Sequence, residues 1–207
     1  MRRNLKSSLD NSALIARLRR RLAPTLKASA AVPTETANLS SSKTAAVLIP
    51  LFEREDHVQV LYTRRSDLMP SHQGQVAFPG GRIDPADHDL IATALREAHE
   101  EVGIEPHKVE VIGRLPPAAA AASGYSVFPF VAKIDDAVSL RPDPREVAEI
   151  FSVPVDVLRD PGFRGSYKFK RGKHVAEFPA ILYGGQVIWG LTLRITENLL
   201  ELIYGGD

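Results

Sequence analysis

Three glutamates at helical spacing are the residues of this sequence best suited to chemistry. Glu97, Glu100 and Glu101 stand at i, i+3 and i+4 behind a pair of glycines. At ~100° per residue they share one face of a helix, while apolar residues of the same segment lie on another face. Carboxylates this close repel one another unless a cation lies between them. Because magnesium and manganese prefer hard oxygen ligands, the pattern predicts a divalent-metal site.

The alternative for such a pattern is a solvated acidic face on a surface helix, and two adjacent glutamates alone would favour it. The surrounding sequence argues against this alternative. Residues 80–104 read GGRIDPADHDLIATALREAHEEVGI, in which two glycines precede the predicted helix and Gly103 follows it. Glycines allow close approach of the backbone, although the pair Gly80 and Gly81 is also compatible with an ordinary strand-to-loop turn.

This segment resembles the signature of the Nudix hydrolase family, a glycine, five residues, a glutamate, seven residues and then REUxEExGU, where U is aliphatic. Residues 96–104 match the second half. In the first half Asp87 replaces the usual glutamate, and eight residues separate it from Arg96. Both departures are shared with the coenzyme A pyrophosphatase-like subgroup. Residues 61–66 and 72–81 also resemble that subgroup's upstream motif, and the similarity covers roughly residues 45–204.

The resemblance implies a fold, a reaction and a set of site residues. The fold would be α/β, a Nudix-like α/β/α sandwich with a mixed sheet. The reaction would be metal-dependent hydrolysis of the pyrophosphate bond of coenzyme A or acyl-CoA, giving adenosine 3′,5′-bisphosphate and (acyl-)4′-phosphopantetheine. Glu97, Glu101 and the carbonyl of Gly81 would bind magnesium or manganese, Glu100 would be a ligand or the general base, and Arg96 would orient a carboxylate. Substrate contacts are predicted for Arg65, Ser66, His72, Gln75, Gly80, Ser123 and Gly124.

Two other functions remain open at this point. One is a Nudix hydrolase for another nucleoside diphosphate derivative, such as ADP-ribose or a dinucleotide; the upstream motif argues against it. The other is a Nudix-fold binding module without catalysis. The intact glutamate trio argues against that, because a binding module has no need of clustered carboxylates.

Composition sets broader limits. The chain has 207 residues, 44% of them hydrophobic, which suits one globular domain with additional periphery. It contains no cysteine, which fits a reducing compartment, and no apolar run approaches the ~20 residues that span a bilayer. We therefore expect a cytoplasmic enzyme with a small-molecule substrate and neither a nucleic-acid partner nor a membrane span; a homodimer stays open.

The basic residues are concentrated at the N-terminus. Residues 1–45 carry nine Lys or Arg against two acidic residues, so the rest of the chain is net negative. Apolar residues at helical spacing, Leu14, Ile15, Leu18 and Leu22, predict a short amphipathic helix that ends before Pro24, with a linker at 28–44. We assign residues 1–44 to this helix and linker and 45–207 to the Nudix domain. The helix is interpreted as docked, as a mobile arm, or as a mitochondrial targeting segment, and removal of residues 1–40 is predicted to leave a folded enzyme.

Periodicity predicts the remaining elements. Strands are expected at 45–52 and 58–63 as a hairpin, the motif helix at about 89–102 with Asp87 or Asp89 as its cap, and strands at 109–115 and 125–134. The alanine run at 118–122 is placed in the loop between them. A short helical turn should follow Pro154, two strands should lie within 167–183, and a closing helix at 188–203 should bury Trp189.

Overall fold

The computed structural model describes residues 10–29, 43–120, 124–135, 139–172 and 174–206. Within those ranges the chain forms an eight-stranded mixed sheet, a three-stranded antiparallel sheet and four α-helices. In chain order the elements are α1 (Asn11–Ser29), β1 (Thr44–Arg54), β2 (His57–Arg65), β3 (Val76–Ala77), β4 (Gly80–Arg82), α2 (Leu90–Val102), β5 (Val109–Arg114), β6 (Ala118–Ala120), β7 (Tyr125–Ile134), β8 (Val147–Pro154), α3 (Val155–Arg159), β9 (Arg164–Arg171), β10 (His174–Tyr183), β11 (Gln186–Trp189) and α4 (Gly190–Tyr204).

Strand β1 is the centre of the main sheet, whose order is β3-β2-β1-β7-β5. It runs parallel to β7 and antiparallel to β2, with which it forms the predicted hairpin. Strand β4 pairs with the first residues of β1, at Ala45–Val47, and β2 pairs with its last residues, at Leu51–Arg54. Strand β8 pairs with β2, and β6 with β7. The predicted α/β class with a mixed sheet is confirmed.

Two hydrophobic cores cover the two faces of this sheet. On one face Ala94, Ala98 and Val102 of α2 pack with strand residues such as Leu48 and Phe130. On the other face apolar side chains of α1, α3 and α4 pack together, among them Leu18, Leu158 and Leu199. Helices on both faces make the three layers of an α/β/α sandwich. No helix in the described ranges is long and apolar enough to cross a bilayer.

The bounds of α2 follow from its local sequence. The Asp89 side chain accepts a hydrogen bond from the Ala92 N–H at 2.7 Å, which makes it the N-cap. Gly103 ends the helix in the left-handed conformation with φ 75°. Of the two predicted caps Asp89 is therefore the correct one, and Asp87 is available for another role.

Helix α1 is longer and better packed than the sequence predicts. It continues through Pro24 to Ser29, so the predicted end before Pro24 is wrong. The reason is anchoring on both sides of the proline: Leu22 is buried, and the Thr25 hydroxyl accepts from the Arg114 N–H of β5 at 2.8 Å. Tertiary contacts of this kind outweigh the cost of a proline inside a helix.

A glycine on β5 allows α1 to lie close to the sheet. A Cβ on Gly113 would lie 2.6 Å from the Leu22 Cβ and 2.8 Å from the Thr25 hydroxyl oxygen. Leu14, Ile15, Leu18 and Leu22 all join the core, which favours a docked helix over a mobile arm and argues against the prediction that removing residues 1–40 leaves the fold intact. The boundary at residue 44 stays a prediction, because residues 30–42 lie outside the described ranges.

Two other predictions of local structure are corrected. Ala118–Ala120 form strand β6 against β7, where a loop was expected; backbone pairing decides here, since alanine has no strong preference for a strand. Trp189 lies at the end of β11 rather than in the closing helix, which begins at Gly190. Its ring is only partly buried and contacts the rings of Tyr167 and Phe169, so its expected place in a helical core is wrong.

Candidate active site

Helix α2 turns its glutamates toward β4, the strand formed by Gly80–Arg82. Glu101 lies on the buried side of the helix with 4% of its surface exposed, whereas the Glu100 side chain is 55% exposed. Glu97 lies between these extremes, with a side chain that is 16% exposed. The trio therefore spans a gradient from core to solvent along one side of the helix.

The buried Glu101 carboxylate has few positive partners. It accepts a hydrogen bond from the Gly80 N–H at 3.0 Å, and the nearest charged nitrogen is Arg65 Nη1 at 3.9 Å. The pKa of the Glu101 carboxyl is raised to about 8, mainly by burial and also by the charges of Glu97 and Glu146, although the Gly80 hydrogen bond and the Arg65 charge lower it. A carboxyl in this position needs either a proton or a cation.

Glu97 lies directly against the backbone of β4. A Cβ built on Gly81 would lie 2.5 Å from both carboxylate oxygens of Glu97, so only glycine leaves room for this arrangement. Burial raises the pKa of Glu97, and the adjacent Arg96 guanidinium lowers it. The same close approach brings the Gly81 backbone beside the carboxylate, as the predicted carbonyl ligand requires.

Arg96 joins the loop before α2 to the glutamates. Its Nε and Nη2 each donate to one oxygen of Asp87 at 3.0 Å, a bidentate pair, and Nη2 also donates to the Arg82 carbonyl at 3.1 Å. Its Nη1 donates to Glu97 and to Glu100, both at 3.0 Å. Such a charge-assisted fork fixes geometry as well as charge. Arg96 is thus positioned to orient two of the three glutamates.

Asp87 completes this anchor. It also accepts from the Thr93 hydroxyl at 2.8 Å and from the Asp84 N–H at 2.9 Å. Burial alone would raise the pKa of Asp87, but the hydrogen bonds from Arg96, Asp84 and Thr93 outweigh it and hold the pKa at about 2. Asp87 is therefore ionised at neutral pH and holds the Arg96 guanidinium in place.

The donor set suits magnesium or manganese. Within the described residues no three Asp, Glu or His side chains converge on one point, because Arg96 binds Glu97 and Glu100. Magnesium does not need a closed protein cage, since it usually keeps waters and binds substrate phosphates through one or two carboxylates. Buried Glu101 and the adjoining Glu97 with the Gly81 backbone offer that partial set of hard oxygen ligands.

The predicted substrate contacts fall into two groups. Arg65 lies beside Glu101. The loop that contains Gln75 is joined to Arg65 by a backbone hydrogen bond from the Arg65 N–H to the Gln75 carbonyl at 3.0 Å. His72 Nδ1 lies 2.9 Å from the Gln75 side chain in the same loop. The buried Ser66 hydroxyl accepts from the Leu68 N–H at 3.3 Å, which is a turn contact.

The second group lies at the start of β7. Gly124 precedes Tyr125, two strands away from β4, and an added Cβ on it would lie 3.2 Å from Lys43 Nζ. Ser123 lies outside the described residues. The structure thus brings Gly80, Gly81, Arg65 and the glutamates together, whereas Gly124 lies on the other side of β1, beside Tyr125, whose ring contacts Arg82.

Glu146 is a site neighbour that the spacing of the motif helix could not reveal. It directly precedes β8, and its carbonyl accepts from the Ser66 N–H at 2.8 Å. Its negative charge raises the pKa of both Glu97 and Glu101. The distance of Glu146 from α2 along the chain hides this proximity from a reading of the motif.

The α/β/α sandwich places the glutamates of α2 against the two glycines of β4. This arrangement is typical of a class of hydrolases that act on diphosphate linkages, usually with divalent metal ions. The NUDIX domain family matches residues 42–172, and the chain belongs to the Nudix hydrolase family. An uncharacterized Nudix hydrolase NudL of Photorhabdus laumondii is 42% identical over 168 residues, covering 79% of this chain and 86% of that protein.

A second relative has a named activity. The mitochondrial coenzyme A diphosphatase NUDT8 of Homo sapiens is 41% identical over 166 residues, covering 78% of this chain and 70% of that protein. Among solved structures, a Nudix hydrolase of M. smegmatis, RenU, has a TM-score of 0.48 and 23% identity, over 58% of this chain and 78% of its own.

Proposed function

We propose that this protein hydrolyses the pyrophosphate bond of coenzyme A or acyl-CoA in a reaction that depends on magnesium or manganese. The products are adenosine 3′,5′-bisphosphate and (acyl-)4′-phosphopantetheine. The observation that carries the proposal is the Glu101 carboxylate, buried beneath Gly80 with Arg65 as its nearest cation. The 41% identity to a coenzyme A diphosphatase supports the choice of substrate.

Each glutamate has a role that matches its burial. Glu97 and Glu101, with the Gly81 carbonyl, would hold the cation, and their burial would limit competition from water for the ligand oxygens. When bound, a divalent cation neutralises phosphoryl oxygens and makes water more acidic. Glu100 is the most exposed of the three and is held by Arg96, so it is a further ligand or the base that takes the proton from the attacking water.

Arg65 and Arg96 have different roles: Arg65 binds the negative charge of the substrate, and Arg96 orients the glutamates. Arg65 has a buried Nε without a hydrogen-bond partner in the described chain, and its Nη1 faces Glu101. These donors suit the oxygens of a diphosphate held beside Glu101. Arg96, locked by Asp87, keeps Glu97 and Glu100 oriented and stays away from the substrate. The backbone N–H of Gly80 fixes the Glu101 carboxylate.

The test is product analysis by mass spectrometry. Purified protein is incubated with coenzyme A, acetyl-CoA, ADP-ribose and a dinucleoside polyphosphate, each with magnesium, with manganese and with a chelator. We expect metal-dependent release of adenosine 3′,5′-bisphosphate from the coenzyme A compounds. Faster turnover of ADP-ribose or the dinucleotide would assign the alternative substrates, and the absence of any turnover would favour a binding module.

A matched pair of variants ties the activity to the site. Glu101→Gln removes the ligand charge and should lower kcat at least a hundredfold, because a lost ligand or base raises the barrier by several times ~1.4 kcal/mol. Glu201→Gln makes the same change at an exposed position on α4 and should retain the wild-type rate. Equal rates for the two variants would remove Glu101 from the site.

We also propose cytoplasmic rather than mitochondrial localisation. The apolar stripe of the basic helix α1 is buried in the core, so the helix has a structural use that explains its composition. Imaging of the protein with a C-terminal fluorescent tag in its own cells tests this. Import of the tagged chain into mitochondria would contradict it.

A further inference from the structure

Two cations and one aromatic ring form a corner on the face of the sheet opposite α2. Its members are Lys43, Arg82 and Tyr125, here called the cationic corner. The Arg82 guanidinium carbon lies 5.1 Å from the centre of the Tyr125 ring, a cation–π contact. Lys43 precedes β1, and its Nζ would lie 3.2 Å from a Cβ on Gly124, the neighbour of Tyr125. Three neighbouring strands therefore contribute to one spot.

The pairing of the strands explains why these side chains share a face. Arg82 pairs with Ala45 on β1, and Ala45 pairs with Val127 on β7. Ala45 and Val127 belong to the core on the α4 side of the sheet. Because paired residues project to the same face of a sheet, Arg82 projects there too, and Tyr125, two residues before Val127, does the same.

Among the described residues, no acidic side chain neutralises the charge of the cationic corner. Lys43 and Arg82 are both exposed, and in the described ranges neither forms an ion pair with an acidic side chain. Lys133 illustrates the contrast, since it lies 3.7 Å from Glu53. Two exposed cations beside an aromatic ring suit an anion such as a phosphate, whose oxygens can accept two hydrogen bonds from one guanidinium.

The cationic corner lies next to the catalytic glutamates. The Arg82 carbonyl accepts from Arg96 Nη2 at 3.1 Å, and the Nη1 of the same guanidinium binds Glu97 and Glu100. Gly81, the residue before Arg82, lies against Glu97 on the other face. Strand β4 pairs with no strand other than β1 in the described chain, and its Gly80 N–H and Arg82 carbonyl bind Glu101 and Arg96 instead of a further strand. The short strand β4 therefore carries the glutamates' contacts and one member of the cationic corner on consecutive residues, Gly81 and Arg82.

We propose that the cationic corner is a second anion subsite, which binds a phosphate monoester carried on the ribose of the substrate. This inference rests on the proposed function. In the proposed reaction the diphosphate of the substrate lies at the metal-binding glutamates. The cationic corner is separated from these glutamates by the short strand β4. In coenzyme A the group with that relation to the diphosphate is the 3′-phosphate, separated from it by one ribose. The subsite therefore makes the enzyme prefer coenzyme A to dephospho-coenzyme A.

The preference is measured as a ratio of two kcat/KM values, for coenzyme A and for dephospho-coenzyme A. In Arg82→Ala and in Lys43→Ala the ratio should fall about tenfold each, the usual effect of one charge-assisted hydrogen bond, through a higher KM for coenzyme A. Arg82→Lys should keep part of the preference, since it keeps the charge. The Arg82 carbonyl that binds Arg96 is unchanged in every variant.

Arg54→Ala is the matched control. The Arg54 guanidinium lies 5.0 Å from the centre of the Phe52 ring, at the opposite end of β1, so the variant loses the same type of contact away from the cationic corner. It should keep the wild-type ratio. If Arg82→Ala and Lys43→Ala lower both kcat/KM values by the same factor, the ratio is unchanged and the subsite is disproved.

A binding measurement separates this inference from the proposed function. Calorimetry with adenosine 3′,5′-bisphosphate and with AMP, in chelator, should show tighter binding of the bisphosphate by wild type and loss of that preference in Arg82→Ala. A wild-type protein that hydrolyses neither coenzyme A nor dephospho-coenzyme A would refute the proposed function, and this preference would still test the subsite. Equal binding of the two nucleotides by wild type would overturn the inference.

Discussion

Replacing Gly81 with alanine should separate activity from stability. The new Cβ would lie 2.5 Å from the Glu97 carboxylate, whereas non-bonded atoms need about 3.5 Å, so the carboxylate must move by about 1 Å. A displacement of ~1 Å in an active site can cost roughly a hundredfold in rate, or ~2.7 kcal/mol. The fold should lose less, because the end of the Glu97 side chain can move; a weakened hydrogen bond to Arg96 costs ~1 kcal/mol.

The assay for Gly81→Ala compares kcat/KM for coenzyme A with the melting temperature. We expect the rate to fall about a hundredfold and Tm by only ~2–4 °C. Gly80→Ala is the contrasting variant: its Cβ would lie 2.4 Å from the Ala46 carbonyl oxygen at φ 153°, so the main chain must shift and Tm should fall much further. Gly206→Ala, with no atom within 4 Å, should be neutral. A Gly81→Ala enzyme with more than a third of wild-type activity would refute the placement of Glu97.

Three further perturbations test other parts of the structure. Leu18→Ala removes a fully buried side chain of α1 and should cost ~2–5 kcal/mol, measured by thermal unfolding; a loss no larger than that of exposed Arg20→Ala would show that the helix is not part of the core. Without metal, the folded protein binds the Glu101 proton more tightly than the unfolded chain does, because the folded pKa is about 8 and the ordinary value is 4.5. The resulting free energy of stabilisation is fully present below pH 4.5 and is lost as pH rises through about 8. The urea midpoint should therefore fall across this range, and Glu101→Gln should abolish the slope; an unchanged slope would contradict the burial argument. Asp87→Asn releases one partner of Arg96 and should lower kcat about tenfold with little change in KM; a wild-type kcat would show that Arg96 needs no anchor.

Local sequence was sufficient for the elements that carry the motif. The cap at Asp89 and the stop at Gly103 need no more than their neighbours in the chain, and α2 has the predicted bounds. The hairpin of β1 and β2 also follows from two apolar runs and a polar turn. Such signals are readable because each is completed within a few residues.

Long-range contacts decided the features that the sequence could not predict. Helix α1 passes Pro24 because β5, remote in the chain, binds both Leu22 and Thr25. The position of Glu146 beside the glutamates depends on the pairing of β2 with β8. Neither relation leaves a periodic pattern in the chain, so only the folded arrangement reveals them. The roles of the site residues stay predictions until the variants are measured.

Helix α1 also contacts the C-terminal end of α4. Arg21 donates to the carbonyls of Leu202 and Gly206, at the end of α4, and Arg17 donates to that of Gly205. During synthesis α1 leaves the ribosome long before α4 exists, so Arg17 and Arg21 can form these hydrogen bonds only after α4 has been made, whereas Leu22 and Thr25 can contact β5 earlier. Docking of α1 is therefore complete only when the chain has been made to the end of α4, so that the last step of folding joins the first and the last helix of the described chain.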